Sequence, residues 1–191
     1  FNPTNPDLAY QWDSQWPQLA NYKKATPYLA APNTPNDLYQ TASTFINSVS
    51  IQDGNENGNF RIGFTNLDSE GIVPNSKLKR NTISFNSSYN ITDRFKASAS
   101  VNLIKTDGKG RNGTGYDSRN LLQSHRQWWQ VNVDPVEQIR VYQEHKENMT
   151  WNSYSWDDTD PIYFDNIGWT LFENFETDTK TRYYGLSLIH I

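Results

Sequence analysis

Cysteine is missing from all 191 residues, which removes disulfides, thiol nucleophiles and thiolate metal sites together. Histidine is scarce. His125, His145 and His190 are far apart, and no HExxH or similar ligand pair exists. Long apolar runs are lacking as well. None approaches the roughly 20 residues of a membrane-spanning helix, so spanning by helices is excluded. Spanning by strands is not, because about 9–11 alternating residues suffice and such segments are polar on average. The mean hydropathy of −0.83 therefore decides nothing on that point. A net charge of −4 with both signs scattered argues against a nucleic-acid surface. No charged-then-apolar leader precedes Phe1, so no signal peptide is visible, an absence without weight for a piece of a longer chain. What is abundant is aromatic: 14% of the residues, with 7 Trp. Trp and Tyr collect at membrane interfaces, on sugar-stacking surfaces and at partner contacts.

The clearest pattern runs from Phe60 to Leu103 and alternates between two chemistries. Phe60, Ile62 and Phe64 share one parity, and Arg61, Gly63 and Thr65 the other. After the turn-rich 71–76, Ile83, Phe85, Tyr89 and Ile91 oppose Thr82, Ser84, Asn86, Ser88 and Asn90. Then Phe95, Ala97, Ala99, Val101 and Leu103 oppose Lys96, Ser98, Ser100 and Asn102. An earlier strand is expected over 39–51, with Tyr39, Phe45, Val49 and Ile51 on one parity and Ile46 as an exception. A turn cluster separates it from the next strand at 53–59. Successive strand side chains point to opposite faces, so this is a sheet with one oily and one wet face. A soluble sandwich buries the oily face against a second sheet, whereas an outer-membrane barrel shows it to lipid. The wet parity is mostly small Ser, Thr and Asn, which suits a lumen better than an ordinary exposed face.

Connection lengths alternate too. The turns at 53–59 and near Thr92 are short, 68–79 is longer, and the stretch from Asp107 to about Asp178 is very long. Barrels combine short periplasmic turns with long extracellular loops, and this order is consistent with that. Four segments result. Residues 1–37 read as an irregular extracellular loop with one helical turn around 13–22, and 38–106 as four antiparallel barrel strands. Residues 107–178 read as a long, partly helical extracellular loop, and 179–191 as the start of a fifth strand. The expected fold class is all-β, an antiparallel meander from a large transmembrane barrel, incomplete at about five strands. Within the long loop, 117–130 is a candidate helix. Asp134-Pro135-Val136-Glu137 announces another, with Asp as N-cap, Pro at the first position and Glu completing a capping box. That helix runs to about Lys146, with Val136, Ile139 and Tyr142 or Gln143 as its inner edge.

Three motifs have blander readings. Gly108-Lys109-Gly110-Arg111-Asn112-Gly113 spells GxGxxG, but no apolar helix follows to receive a pyrophosphate, so it reads as a polar loop and no cofactor is expected. Asp53-x-Asn55-x-Asn57-Gly58 starts like a calcium loop, yet its twelfth position is Phe64 inside a strand, so it reads as a hairpin turn. Asp157, Asp158 and Asp160 with Glu173 and Glu176 supply paired carboxylates without any fixed separation. They read as solvated acids or a loop calcium site, and no catalytic or metal-binding residue is assigned.

Ser48-Val49-Ser50, Asn59-Phe60-Arg61, Glu70 to Ser76, Arg80-Asn81-Thr82-Ile83 and Gly108 to Arg111 resemble the early barrel strands of SusC/RagA-type TonB-linked outer-membrane proteins. Gln127-Trp128-Trp129-Gln130 to Asp134, Thr150-Trp151-Asn152 and Phe164-Asp165-Asn166 to Trp169 resemble that family's long extracellular loop. Thr181 to Gly185 resembles the re-entry into the next strand. The resemblance covers nearly the whole chain. It implies that the chain is a fragment of a protein with an N-terminal plug inside a barrel of roughly 22 strands. It also implies non-enzymatic import of oligosaccharides or peptides across the cell outer membrane, driven through TonB, which contacts a region missing here. A SusD-like surface lipoprotein would be the partner above, and outer-membrane lipid the surroundings. Leu186 to Ile191 fits the pattern poorly and resembles translated adapter read-through, so His190 carries no functional weight. Trp128, Trp129, Trp151, Trp156 and Trp169 are the expected partner- or ligand-contacting aromatics. Packing within the loop or against the lipoprotein, stacking on a ligand, and a membrane belt are their open roles. The competing reading is a soluble carbohydrate-binding β-sandwich with an aromatic platform, or a hydrolase using the acidic loop.

Overall fold

The computed structural model describes residues 7–191, so the part of the irregular 1–37 segment at 1–6 lies outside the described residues. The chain forms two units, a sheet over 41–72, 76–110 and 176–191, and a lobe over the remainder. In chain order, β1 (Leu8–Ala9) pairs antiparallel with β2 (Thr26–Pro27) in the lobe. The sheet then takes β3 (Ser43–Asn55), β4 (Gly58–Glu70), β5 (Lys77–Thr92), β6 (Phe95–Lys109) and β7 (Thr177–His190). These five strands are antiparallel neighbours in sequence order, so the sheet is an open meander with β3 and β7 as free edges. The all-β, antiparallel expectation holds.

Strand ends differ from expectation for local reasons. Tyr39 lies outside the sheet, because Pro35–Leu38 winds into a 3-10 turn closed by a Thr34–Asp37 capping box, and Leu38 is buried. The four expected strands occupy Ser43–Lys109 rather than 38–106. The 53–59 cluster is mostly strand, and only Glu56 and Asn57 form the tip. Asn55 Oδ1 accepts from the backbone N–H groups of Asn57 (2.9 Å) and Gly58 (3.1 Å), an Asx turn that fixes the hairpin. A Cβ on Gly58 would stand 2.6 Å from the Ser88 carbonyl, so the turn needs glycine there. A second two-residue tip, Asp93-Arg94, joins β5 to β6.

The lobe holds the chain's core. Leu38, Leu121, Ile167 and Leu171 cluster, with Val73, Trp129, Ile139 and Phe172 packed against them. Only α2 (Pro135–His145) was anticipated in full among its helices. Asp134 caps it, accepting from the N–H groups of Val136 (2.9 Å) and Glu137 (3.1 Å), and Lys146 ends it in the left-handed region at φ 58°. The reciprocal half of the capping box is not formed, because Glu137 pairs with Arg140 at 2.6 Å. Its inner edge keeps Tyr142, which is buried, and Ile139, which packs against the core, but Val136 is exposed and Pro135, Gln138 and Val141 are buried with them. The candidate helix at 117–130 shrinks to α1 (Leu121–Gln123) and a π turn over Ser124–Trp128. Asp117 and Arg119 instead lock each other at 2.6 Å just before Asn120, which caps α1.

A third helix, α3 (Ile167–Phe172), was not anticipated. Asn166 makes it. Its side chain accepts from Gly168 N–H (2.7 Å) and Trp169 N–H (3.3 Å) and donates to the carbonyls of Gln138 (2.9 Å) and Met149 (3.0 Å). One fully buried amide thus ties α3 to α2 and to the segment after it. Gly168 permits the approach, since a Cβ there would come 2.5 Å from the Tyr142 side chain.

Candidate functional site

Strand register fixes which residues share a face, because directly opposed residues on neighbouring strands point the same way. One row reads Val49–Phe64–Ile83–Leu103–Tyr183 and the next Ile51–Ile62–Phe85–Val101–Gly185. Phe60 and Ala99 follow, then Tyr89, Ala97 and Ile189, near the short turns. Tyr183 stands at one border of this apolar band, and Tyr89 lies near the other, two residues before Ile91 and the hairpin tip. Beyond Tyr183 the same face turns mostly polar and charged, through Asn47–Asn66–Asn81–Lys105–Thr181 to a row of Phe45, Asp68, Lys79 and Asp107. Its charges are paired there, Lys77 with Glu70 at 2.7 Å, Lys79 with Asp68 at 3.4 Å and Lys105 with Asp107 at 3.9 Å.

None of the described chain's buried apolar side chains belongs to this sheet. Val49, Ile51, Ile62, Phe64, Ile83, Phe85 and Val101 are all exposed. The opposite face carries Ser50–Gly63–Ser84–Asn102–Tyr184 and Gln52–Arg61–Asn86–Ser100–Leu186. Hydroxyls and amides bond to one another across it, as in Ser48 with Thr65 (3.0 Å) and Ser100 with Asn86 (2.8 Å). The parity exception Ile46 stands opposite Leu67, so the two apolar residues meet each other on the wet face. Leu186 and Leu188 also fall on this face, which is where the alternation breaks down.

The five tryptophans singled out from sequence all lie in the lobe, but not together. Trp151 is 9% exposed, stacks on Phe164 at 5.9 Å and meets the edge of Trp129 at 5.2 Å. Trp129 also meets His125 edge-on at 5.3 Å and donates Nε1–H to the Val133 carbonyl at 3.0 Å. Trp169 packs edge-on against Tyr142. These three build the lobe. Trp128 and Trp156 are 53% and 50% exposed and remain available to a partner or ligand. Adjacent Trp128 and Trp129 diverge because the helical turn ends between them. Tyr10, which sequence reasoning passed over, meets Trp156 at 5.4 Å and completes an exposed aromatic corner. Nothing in its local sequence marks it, since the pair is joined across most of the chain.

Other expected chemistry resolves into structure. Asp157 and Asp158 cap a tight turn, accepting from Ser155 Oγ–H (2.6 Å) and Asp160 N–H (3.1 Å). Glu173 accepts from the buried Tyr142 hydroxyl, and burial with that carboxylate pushes the phenol up to about 12. The Arg119 guanidinium holds Asp117 down to about 2. Gly108 to Gly113 runs from the end of β6 into a loop. Among the described residues no three His, Asp or Glu side chains gather as a metal site. Burial draws His125 down to about 4, and neither of its ring nitrogens has a hydrogen-bond partner among the described residues. No protein-family model and no curated protein matches the chain.

Proposed function

We propose that the sheet is a wall section of an outer-membrane β-barrel serving TonB-driven uptake of oligosaccharides or peptides, with the lobe as its extracellular loop. One observation carries this reading: the sheet segregates apolar from polar residues by face, yet buries none of the apolar ones. From Ile83 to Ile91 the apolar parity spans about 27 Å at about 3.4 Å per residue. In a barrel with strands tilted about 40°, that is about 21 Å of membrane normal, near the ~25 Å of such bands. Tyrosines at one border and near the other match the aromatic girdles of these walls. The described residues hold no second sheet of similar size, only the two-residue strands β1 and β2. The ordered motif resemblance supplies the SusC/RagA assignment, and with it the SusD-like lipoprotein and TonB as partners. Exposed Trp128, Trp156 and Tyr10 are the lobe's surfaces for that lipoprotein.

The absence of cysteine from this segment makes the test direct. Spin labels at Ile62→Cys and Ser84→Cys, one on each face, are read in the intact barrel that carries this segment, because five strands with two open edges cannot close in a bilayer. Position 62 will be relaxed by oxygen dissolved in the lipid and position 84 by a water-soluble nickel chelate. Water accessibility at both positions refutes the membrane assignment.

A further inference from the structure

We propose that the hydrophilic face of the sheet carries an anion-binding patch of Arg80, Lys180 and Arg182 that takes carboxylate-bearing oligosaccharides. The inference rests on the reading that this face lines the interior of a barrel and meets water beside the plug. Register places the three cations around two side chains of the strand between them. Arg80 stands opposite Thr106, and Thr106 opposite Lys180. Thr82 stands opposite Ile104, and Ile104 opposite Arg182. Arg80 and Lys180 are therefore two strand spacings apart, about 9.6 Å, and Lys180 and Arg182 about 6.8 Å along one strand. Three long cationic side chains thus border one frame, with the Thr106 hydroxyl between Arg80 and Lys180, Ile104 beside Arg182, and Thr82 at the fourth corner.

Charge pairing separates this patch from the other lysines of the sheet. On the apolar side, Lys77, Lys79 and Lys105 each have a carboxylate within 4 Å. Arg80, Lys180 and Arg182 form no ion pair among the described residues. The acidic side chain sharing their face, Asp178, has interactions of its own. The chain as a whole is acidic, at −4, so uncompensated cations gathered on one wet surface run against its composition. Guanidinium groups favour carboxylates because their planar fork matches two oxygens. Around the patch, Ser50, Ser84, Asn86, Ser100 and Asn102 present donors and acceptors at every second position. A solute with a hydroxyl at nearly every carbon can satisfy such a ladder at each step, whereas an acidic peptide offers its carboxylates and one amide per residue. That selects a sugar acid over an acidic peptide.

The intact barrel protein that carries this segment, in detergent micelles, is titrated calorimetrically with trigalacturonate, maltotriose and triglutamate at low salt. Trigalacturonate will bind at least about tenfold more tightly than either other probe, and added salt will weaken it. The Lys180→Gln/Arg182→Gln double variant will lose that preference. Arg80→Gln, on a different strand, will lower it independently, so a folding defect in β7 cannot mimic the result. Lys105→Gln, next to Thr106 but on the opposite face, will leave it intact. Equal affinity for maltotriose, equal affinity for triglutamate, or an equal loss in Lys105→Gln each overturns the patch. The spin labels at 62 and 84 report separately. A lipid-exposed position 62 with no carboxylate preference sinks the patch alone, while a preference with a water-exposed position 62 keeps it and sinks the membrane reading.

Discussion

Replacing Phe85 by arginine places a charge inside the apolar band, on the central strand of the sheet. Phe85 stands between Ile62 and Val101 and remains 36% exposed. A Phe side chain has about 200 Å² to bury, so about 70 Å² of it is left for lipid to cover. At about 25 cal/mol per Å², losing that contact costs about 1.8 kcal/mol. Arginine on a lipid-facing strand adds about 2 kcal/mol at a depth between midplane and border. Together Phe85→Arg should destabilise the inserted sheet by about 4 kcal/mol. Ser84→Arg changes the neighbouring residue on the wet face and should stay within about 0.5 kcal/mol. Asn81→Arg, on the same face as Phe85 but in the polar row beyond Ile83, should cost about 0–1 kcal/mol. Guanidinium titrations of the intact barrel refolded into vesicles, followed by circular dichroism, give the three midpoints. In water without lipid the order should invert, with Phe85→Arg the more soluble protein, because the charge there interrupts an exposed apolar patch. Equal costs at 84 and 85, or an unchanged ranking in water, would show that lipid does not cover this face.

Two further predictions concern the lobe, and all the tryptophans report on it. His125 binds its proton near 6.5 when unfolded and near 4 when buried. Stability is therefore full above about pH 6.5 and falls as pH drops toward 4, by on the order of 3 kcal/mol. Denaturant midpoints read by tryptophan emission should decline between pH 6.5 and 5, and His125→Gln should flatten that window; an unchanged slope sinks the assignment. Trp151→Ala removes the Phe164 stack and the Trp129 edge contact and should cost about 3–5 kcal/mol of lobe stability. Trp156→Ala, held only at its edge by Tyr10, should cost under about 1.5 kcal/mol and act instead on lipoprotein capture in a pull-down. Reversed magnitudes would mean that the surface and core tryptophans have been exchanged.

The two units were unequally legible. In the sheet, every side chain's face follows from its parity, and parity is local. Phe60 to Leu103 therefore announced its faces residue by residue, and the register confirmed them. Even the Ile46 exception has a partner two strand-lengths of sequence away, in Leu67. The lobe's core joins Leu38, Leu121, Ile167 and Leu171, drawn from three separate stretches with no shared period. Its helices are short and held by single polar side chains such as Asn166, whose four bonds no hydrophobic pattern can reveal. In α2 the core-facing centre is Gln138, a polar residue, so an apolar count slides the stripe toward Val136. The same absence of period left α3 unforeseen and left Tyr10 unconnected to Trp156.

Charge pairing follows the division between the faces, and the energetics say why it should. Next to the apolar band, Lys77, Lys79 and Lys105 sit where lipid would lower the local dielectric. An unpaired ammonium there would lose hydration without compensation, whereas a pair with carboxylate oxygens limits that loss. Arg80, Lys180 and Arg182 face the wet side, where water solvates each cation and no partner is required. Exposed neighbours of opposite charge pair in water too, so lipid on one face would sharpen this difference rather than create it. The asymmetry thus bears on both proposals at once, and it separates them: lipid would favour the pairs on the apolar side, while on the wet side a mobile anion, or a carboxylate of the plug outside this chain, could meet the unpaired cluster.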